Sequence, residues 1–167
     1  MMNRPTWRED ETVEVRFDET KTYRYLLACS WEQGEGTVTF VMLNPSIGDE
    51  ERCNPTMKRC VDFARDWGYR SMQVVNLFSY ISVKPTGLLE VDDPVGAEND
   101  AHIVEAAAGS DLVVFAWGAK YGDISGRDRE VARLLAEYPL HCIGKTKQGH
   151  PRHPLYLKKD LKPIVFN

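Results

Sequence analysis

The chain lacks most of the short signatures that would assign a function at once. Its four cysteines, Cys29, Cys53, Cys60 and Cys142, are scattered, with no CxxC pair and no Cys/His run at zinc spacing. Nothing in their spacing asks for an iron–sulfur cluster, and buried reduced thiols are the expected state. No apolar run approaches the ~20 residues of a membrane span, so no membrane partner is expected. The opening MMNRPTWRED has no apolar core of a signal peptide, which points to a cytoplasmic protein. No G-x-G-x-x-G follows a strand, no phosphate-binding G-x-x-x-x-G-K occurs, and no G-x-S-x-G nucleophile elbow is present. The adjacent acids Asp92 and Asp93 fall in a loop and read as turn residues, and His102 lies in a helix as a surface group. His150 and His153 have no third metal ligand, so neither a metal nor a cofactor is called for. An excess of basic charge is also missing. Lys and Arg number 21 against 25 Asp and Glu, a net charge of −4 that argues against a dedicated nucleic-acid coat.

What is present is a chain of 167 residues, 43% hydrophobic and 28% charged, enough for one domain with a sizeable core. Charge is unevenly spread. Residues 145–162 hold Lys145, Lys147, Arg152, Lys158, Lys159 and Lys162 against Asp160 alone, together with His150 and His153. Such a stretch is either a solvated tail or a surface that faces phosphates.

Hydrophobic periodicity orders the chain. TVEVRF (12–17) alternates as a half-buried strand, and TYRYLLACSW (22–31) and TVTFVML (37–43) follow, so the first 43 residues predict an antiparallel meander. Asn54-Pro55 opens a helix, as N-cap and first helical residue, that Gly68 ends. SMQVVNLF (71–78), DLVVFAWG (111–118) and LHCIG (140–144) read as further buried strands, and 97–109 and 126–138 as helices. From residue 37 strands and helices alternate, which predicts a mainly parallel central sheet covered on both faces, an α/β three-layer sandwich. The division expected is one domain over 1–167: N-terminal strands in 1–36, an α/β core in 37–157 and a C-terminal tail in 158–167.

Ligands of such sheets bind beyond the carboxyl ends of the strands. The predicted strand ends carry Asn44-Pro45-Ser46, Asn76-Leu77-Phe78 and Trp117-Gly118, and the last strand leads into GKTKQGHPRHPLYL. Two amides, an aromatic, two histidines and several cations are thereby collected along one edge. Each has a plain structural reading as well: Asn44 as a turn cap, Asn76 as a satisfied buried amide, Phe78 and Trp117 as core.

The ordered set VMLNPS, VVNLF, VVFAWG and GHPRHPLYL, with NPTMKRC and DPVGAEND, closely resembles the bacterial domain-of-unknown-function 1643 family from about Tyr25 to Leu157. That name implies no activity. The same strand ends distantly resemble the uracil-DNA glycosylase superfamily. Its first motif ends a strand in Gly, Gln or Ile, Asp or Asn, then Pro; MLNP matches the Asn form without the glycine. A later strand ends in an Asn that reads the base, where VVNLF offers Asn76. VVFAWG fits a run ending in Trp-Gly. The closing H-P-S-P-L needs a one-residue insertion to fit HPRHPL, which leaves either His150 or His153 as its histidine.

The resemblance implies a uracil-DNA-glycosylase-like fold and hydrolysis of the N-glycosidic bond of a damaged or modified base in DNA. Asn44 would hold the water, and His150 or His153 would donate to the leaving base. Pro45, Ser46, Asn76, Phe78 and Trp117 would line the base site, with Lys145, Lys147 and Arg152 on phosphates. DNA or a nucleotide is the expected partner. Two rivals stay open: a module that binds a nucleobase, nucleotide or nucleic acid without chemistry, and a hydrolase of a free nucleoside or nucleotide.

Overall fold

Val38, Phe40, Val41 and Met42 are all buried, so the strand they form has both faces covered and belongs in the middle of a sheet. The computed structural model, which describes residues 6–167, places it there. The elements in chain order are β1 (Thr12–Phe17), β2 (Arg24–Ser30), β3 (Thr37–Met42), α1 (Pro55–Asp66), β4 (Ser71–Asn76), α2 (Asn99–Ala108), β5 (Leu112–Phe115), α3 (Arg127–Leu134), β6 (Leu140–Cys142) and β7 (Ile164–Val165). They build one seven-stranded sheet in the order β1-β2-β4-β3-β5-β6-β7.

Two expectations are corrected. The first three strands are not a meander: β2 pairs antiparallel with β4, and β3 lies between β4 and β5, parallel to both. A strand as apolar as β3 is left half uncovered at the end of a meander, whereas between two parallel neighbours it is enclosed. The central strands run parallel as expected, while the sheet as a whole is mixed. The pairings of β4 with β3, β3 with β5 and β5 with β6 are parallel, and those of β1, β2 and β7 with their neighbours are antiparallel. Part of the segment expected as a tail, Ile164–Val165, supplies the last edge strand. Residues 1–5 of the expected N-terminal stretch lie outside the described residues.

The helices cover both faces. Asn54 caps α1, its side chain accepting from the Met57 N–H, and Pro55 takes the first helical position as expected. Met57, Cys60, Val61, Phe63 and Ala64 of α1 pack on Leu27, Val38, Phe40, Met72 and Val74. On the other face, Ile103, Ala106 and Ala107 of α2 and Val131 of α3 pack on Val41, Val75, Val113 and Phe115. The result is an α/β sandwich of three layers. All four cysteines are free and buried, and burial pushes the Cys29 and Cys53 thiols up to about 12 and about 11. No helix among the described residues is long and apolar enough to cross a membrane.

The strand order fixes where a site can form. From β3 the chain passes through α1 to β4 on one side, and β5, reached through α2, lies on the other. The crevice beyond the carboxyl end of β3 is therefore the switch point of the parallel core, where open α/β sheets bind ligands.

Candidate functional site

A cavity of about 190 Å³ occupies that crevice. That space takes one small ring, and because the crevice opens to solvent the rest of a larger ligand can extend out of it. Its wall is taken from three adjacent strand ends: Asn44, Pro45 and Ser46 after β3, Asn76 ending β4, and Trp117 after β5. His153, from the segment after β6, completes it. Six residues separated by more than a hundred positions meet because parallel strands deliver their carboxyl ends to one edge.

Asn76 is 1% exposed, and neither its amide nitrogen nor its amide oxygen has a hydrogen-bond partner among the described residues. A buried amide without partners costs roughly 1–3 kcal/mol per unmade bond, so its place on a cavity wall has a chemical meaning. Its backbone, in contrast, is held firmly. Asn99 of α2 donates from Nδ2 to the carbonyls of Asn76 and Leu77 at 2.9 and 3.2 Å. Arg127 of α3 donates from Nε to the Leu77 carbonyl at 2.7 Å and pairs with Asp100 at 2.6 Å and with Glu130. Asn99→Ala takes the side-chain donor from the Asn76 carbonyl, while the Leu77 carbonyl keeps Arg127, and is expected to cost about 1–3 kcal/mol, measured as a fall in the urea midpoint. An unchanged midpoint would remove Asn99 from this role.

Asn44 is half-buried and splits its duties. Its Nδ2 donates to the carbonyls of Pro45 at 3.0 Å and Ser82 at 2.9 Å, and the Ser82 N–H donates back to the Pro45 carbonyl at 2.9 Å. The amide nitrogen thus ties the loop after β3 to the loop after β4. With both its hydrogens so used, only the side-chain oxygen, an acceptor, can serve a bound group.

His153 Nδ1 accepts the Leu155 N–H at 3.2 Å, so the proton of the neutral ring is on Nε2 and that atom is a donor. Burial lowers the pKa of His153 below its ordinary 6.5, which keeps the ring neutral at pH 7. The Trp117 indole is buried between Phe115, at 4.5 Å between ring centroids, and Phe166, at 6.3 Å, and its Nε1–H has no partner among the described residues. Gly122 lies flat against the indole: a Cβ there would stand 2.7 Å from a ring carbon.

Several expected site residues are not brought to the cavity. Phe78 is 1% exposed in the apolar cluster with Leu26, Val41 and Ile103, past the strand end where its N–H bonds to the Leu43 carbonyl. His150 belongs to a turn closed by Thr146, whose hydroxyl accepts the His150 N–H at 3.1 Å, and its ring does not line the cavity. Of the two histidines left open by the sequence, His153 is the one at the site. Lys145 reaches Asn167 and the Phe166 ring, Arg152 Nε donates to the Lys145 carbonyl, and Lys147 is exposed; none lines the cavity.

Arg24, Thr56 and Ser82 line the cavity and were not singled out by the sequence; Asn54 was read only as a helix cap. Arg24 is the most informative. It is 2% exposed, donates from Nη1 to the Gly48 carbonyl at 3.2 Å, and leaves Nε without a partner among the described residues. Burial pushes its pKa down from 12.5 to about 10, offset in part by Asp49, itself bonded to Arg52 at 2.9 Å. The signal in the sequence was a lone cation inside the apolar run YRYLLAC.

Residues 24–155 match the model of the family described as Protein of unknown function (DUF1643), and the chain belongs to that family. The matched span encloses every residue that lines the cavity, from Arg24 to His153. No curated protein and no solved structure matches the chain.

Proposed function

We propose that this member of the DUF1643 family is an N-glycosidic bond hydrolase of the glycosylase type, whose cavity takes a single damaged or modified base carried by DNA or by a nucleotide. One observation carries the reading: a buried amide, Asn76, bare at both hydrogen-bonding ends, shares a ring-sized cavity with Asn44 and a donor histidine. An amide presents one donor face and one acceptor, the complement of the imide edge of a pyrimidine or of an oxidised purine. The resemblance of the strand ends to the uracil-DNA glycosylase superfamily supports the same reaction class.

In the reaction, water adds to C1′ of the sugar as the bond from C1′ to the base nitrogen breaks. The bonding electrons leave with the base, and the water proton is lost to solvent or to the departing base. The Asn44 oxygen orients the water as an acceptor. His153 Nε2–H donates to the oxygen on which the base gathers negative charge, and a neutral donor does so without first giving up a proton.

The test is release of free base, measured chromatographically, from oligonucleotides and nucleotides bearing uracil, hypoxanthine or xanthine. Asn76→Leu is the decisive variant. It is expected to lose base release or change base preference, with a lost bidentate contact worth ~1–3 kcal/mol, while the thermal midpoint holds or rises. A structural amide would behave in the opposite way, lowering the midpoint and sparing turnover.

A second reading has its own support. Among the described residues no carboxylate lines the cavity, so no carboxylate base faces the water, and the Asn44 nitrogen is spent on the loops. The cavity would then bind a base without chemistry. Calorimetric binding of a nucleotide together with zero base release over long incubation supports this reading and overturns the first.

A further inference from the structure

Base recognition by Asn76 leaves a second buried polar group on the cavity wall unexplained: Arg24, which starts β2 beside the carboxyl end of β4. A guanidinium taken out of water costs several kcal/mol unless opposite charge or hydrogen bonds replace the solvent. Arg24 has one hydrogen bond, to Gly48, and no ion pair among the described residues. It shares the cavity wall with Asn54, Thr56 and Met57, the cap and first turn of α1. The N–H groups of a first turn have no carbonyl of their own helix to bond, and they carry the positive end of the helix dipole. Pro55 has no N–H, and Asn54 satisfies the N–H groups of Met57 and Lys58 through its side chain and its carbonyl. The Thr56 N–H is therefore the first-turn donor left for a ligand, and no acid stands in the first turn of this helix of 12 residues. Gly48 lets the loop pack closely on the guanidinium, since a Cβ there would stand 3.0 Å from Arg24 Nη1. A buried cation, a helix start and a hydroxyl (Thr56) therefore face one small volume that no carboxylate lines.

We propose that Arg24 and the first turn of α1 form a phosphate-monoester subsite on the cavity wall. Resting on the base-binding reading above, it makes the substrate a nucleoside 5′-monophosphate rather than a base within a strand. A monoester ends at its phosphate and fits a closed corner, whereas a diester must leave it in two directions. The basic residues that would guide a strand, Lys145, Lys147 and Arg152, stand off the cavity, which agrees with a small substrate. Guanidinium groups bind phosphate through paired N–H donors, strongly where water is excluded.

Calorimetry of the full chain tests this with inorganic phosphate, with uridine, inosine and xanthosine, with their 5′-monophosphates, and with oligonucleotides bearing the same bases internally. At least one monophosphate is expected to bind tenfold or more tighter than its nucleoside, to be displaced by inorganic phosphate, and to outcompete the oligonucleotide. Thr56→Asp puts a carboxylate at the helix start, where it favours the helix but repels the anion. It is expected to hold or raise the thermal midpoint while monophosphate affinity falls to that of the nucleoside. Arg24→Gln should lose the same discrimination; if it does not fold, Thr56→Asp decides alone. Equal binding of nucleoside and monophosphate overturns the subsite and leaves the base reading standing. Phosphate binding that Thr56→Asp abolishes, without affinity for any nucleoside or preference among bases, supports the subsite and overturns the base reading. Anion binding that survives Thr56→Asp, tighter binding of the oligonucleotide, or no binding of any probe overturns the subsite.

Discussion

Asn44→Ala is expected to lower base release by ~10²-fold, the cost of misplacing a reacting group, and to lower stability as well. The two effects come from different atoms. The side-chain oxygen is the part left to hold water, while Nδ2 fastens the loop after β3 to the loop after β4 through Pro45 and Ser82. Loss of both donor bonds costs about 1–3 kcal/mol, which for a chain of this size is a fall of very roughly 2–12 °C in the thermal midpoint. Turnover and midpoint should therefore drop together in Asn44→Ala.

Asn44→Asp separates them. It keeps an oxygen toward the cavity and removes both N–H donors, placing a carboxylate against two carbonyls. Its midpoint is expected to fall at least as far as that of Asn44→Ala. If base release in Asn44→Asp stays above that of Asn44→Ala, the oxygen acts on the reaction. If both variants lose release in equal measure and in proportion to stability, Asn44 is a loop fastener and its chemical role is wrong.

That double duty marks the boundary of what the sequence discloses. Strand ends are legible because a buried run stopped by Asn-Pro or by Trp-Gly has a local signature, and a parallel sheet sends such ends to one edge. Asn44, Asn76 and Trp117 are legible this way and meet at the cavity, where they are joined by His153, one of the two histidines the sequence leaves open. The order of strands was not legible. Whether β2 pairs with β3 or with β4 is decided by packing on both faces of β3, a non-local matter that alternation in β2 does not encode. Phe78 went astray for a related reason: two positions beyond a site residue the chain has already left the strand, and its side chain enters the core. Arg24 was missed because a cation in a strand reads as solvent-facing, and only the closure of the 44–56 segment over it reveals its burial. Asn99 and Arg127, which fix the end of β4, lie on two helices far along the chain, and neither shows a local pattern that points to Leu77.

His153→Gln is expected to lower base release by ~10²–10³-fold, the loss seen when one donor to a developing oxyanion is removed. The pH dependence then states which form of the ring acts. The Leu155 N–H fixes Nδ1 as the acceptor, and burial lowers the pKa below 6.5, so the neutral Nε2–H is the donor present at pH 7. Wild-type release should not decline as pH rises from 6.5 to 8.5; a decline over that range would mean that the imidazolium is the working form. Stability depends on the same neutral ring. With the folded pKa below the unfolded value, the unfolded chain binds the proton more readily, so the contribution of His153 is complete above pH 6.5 and is lost as pH falls through the folded pKa. Protonation of Nδ1 also removes the acceptor for Leu155. Thermal midpoints measured from pH 7.5 down to 5 should therefore fall more steeply in the wild type than in His153→Gln, and equal slopes would show that the ring is not held neutral by the fold.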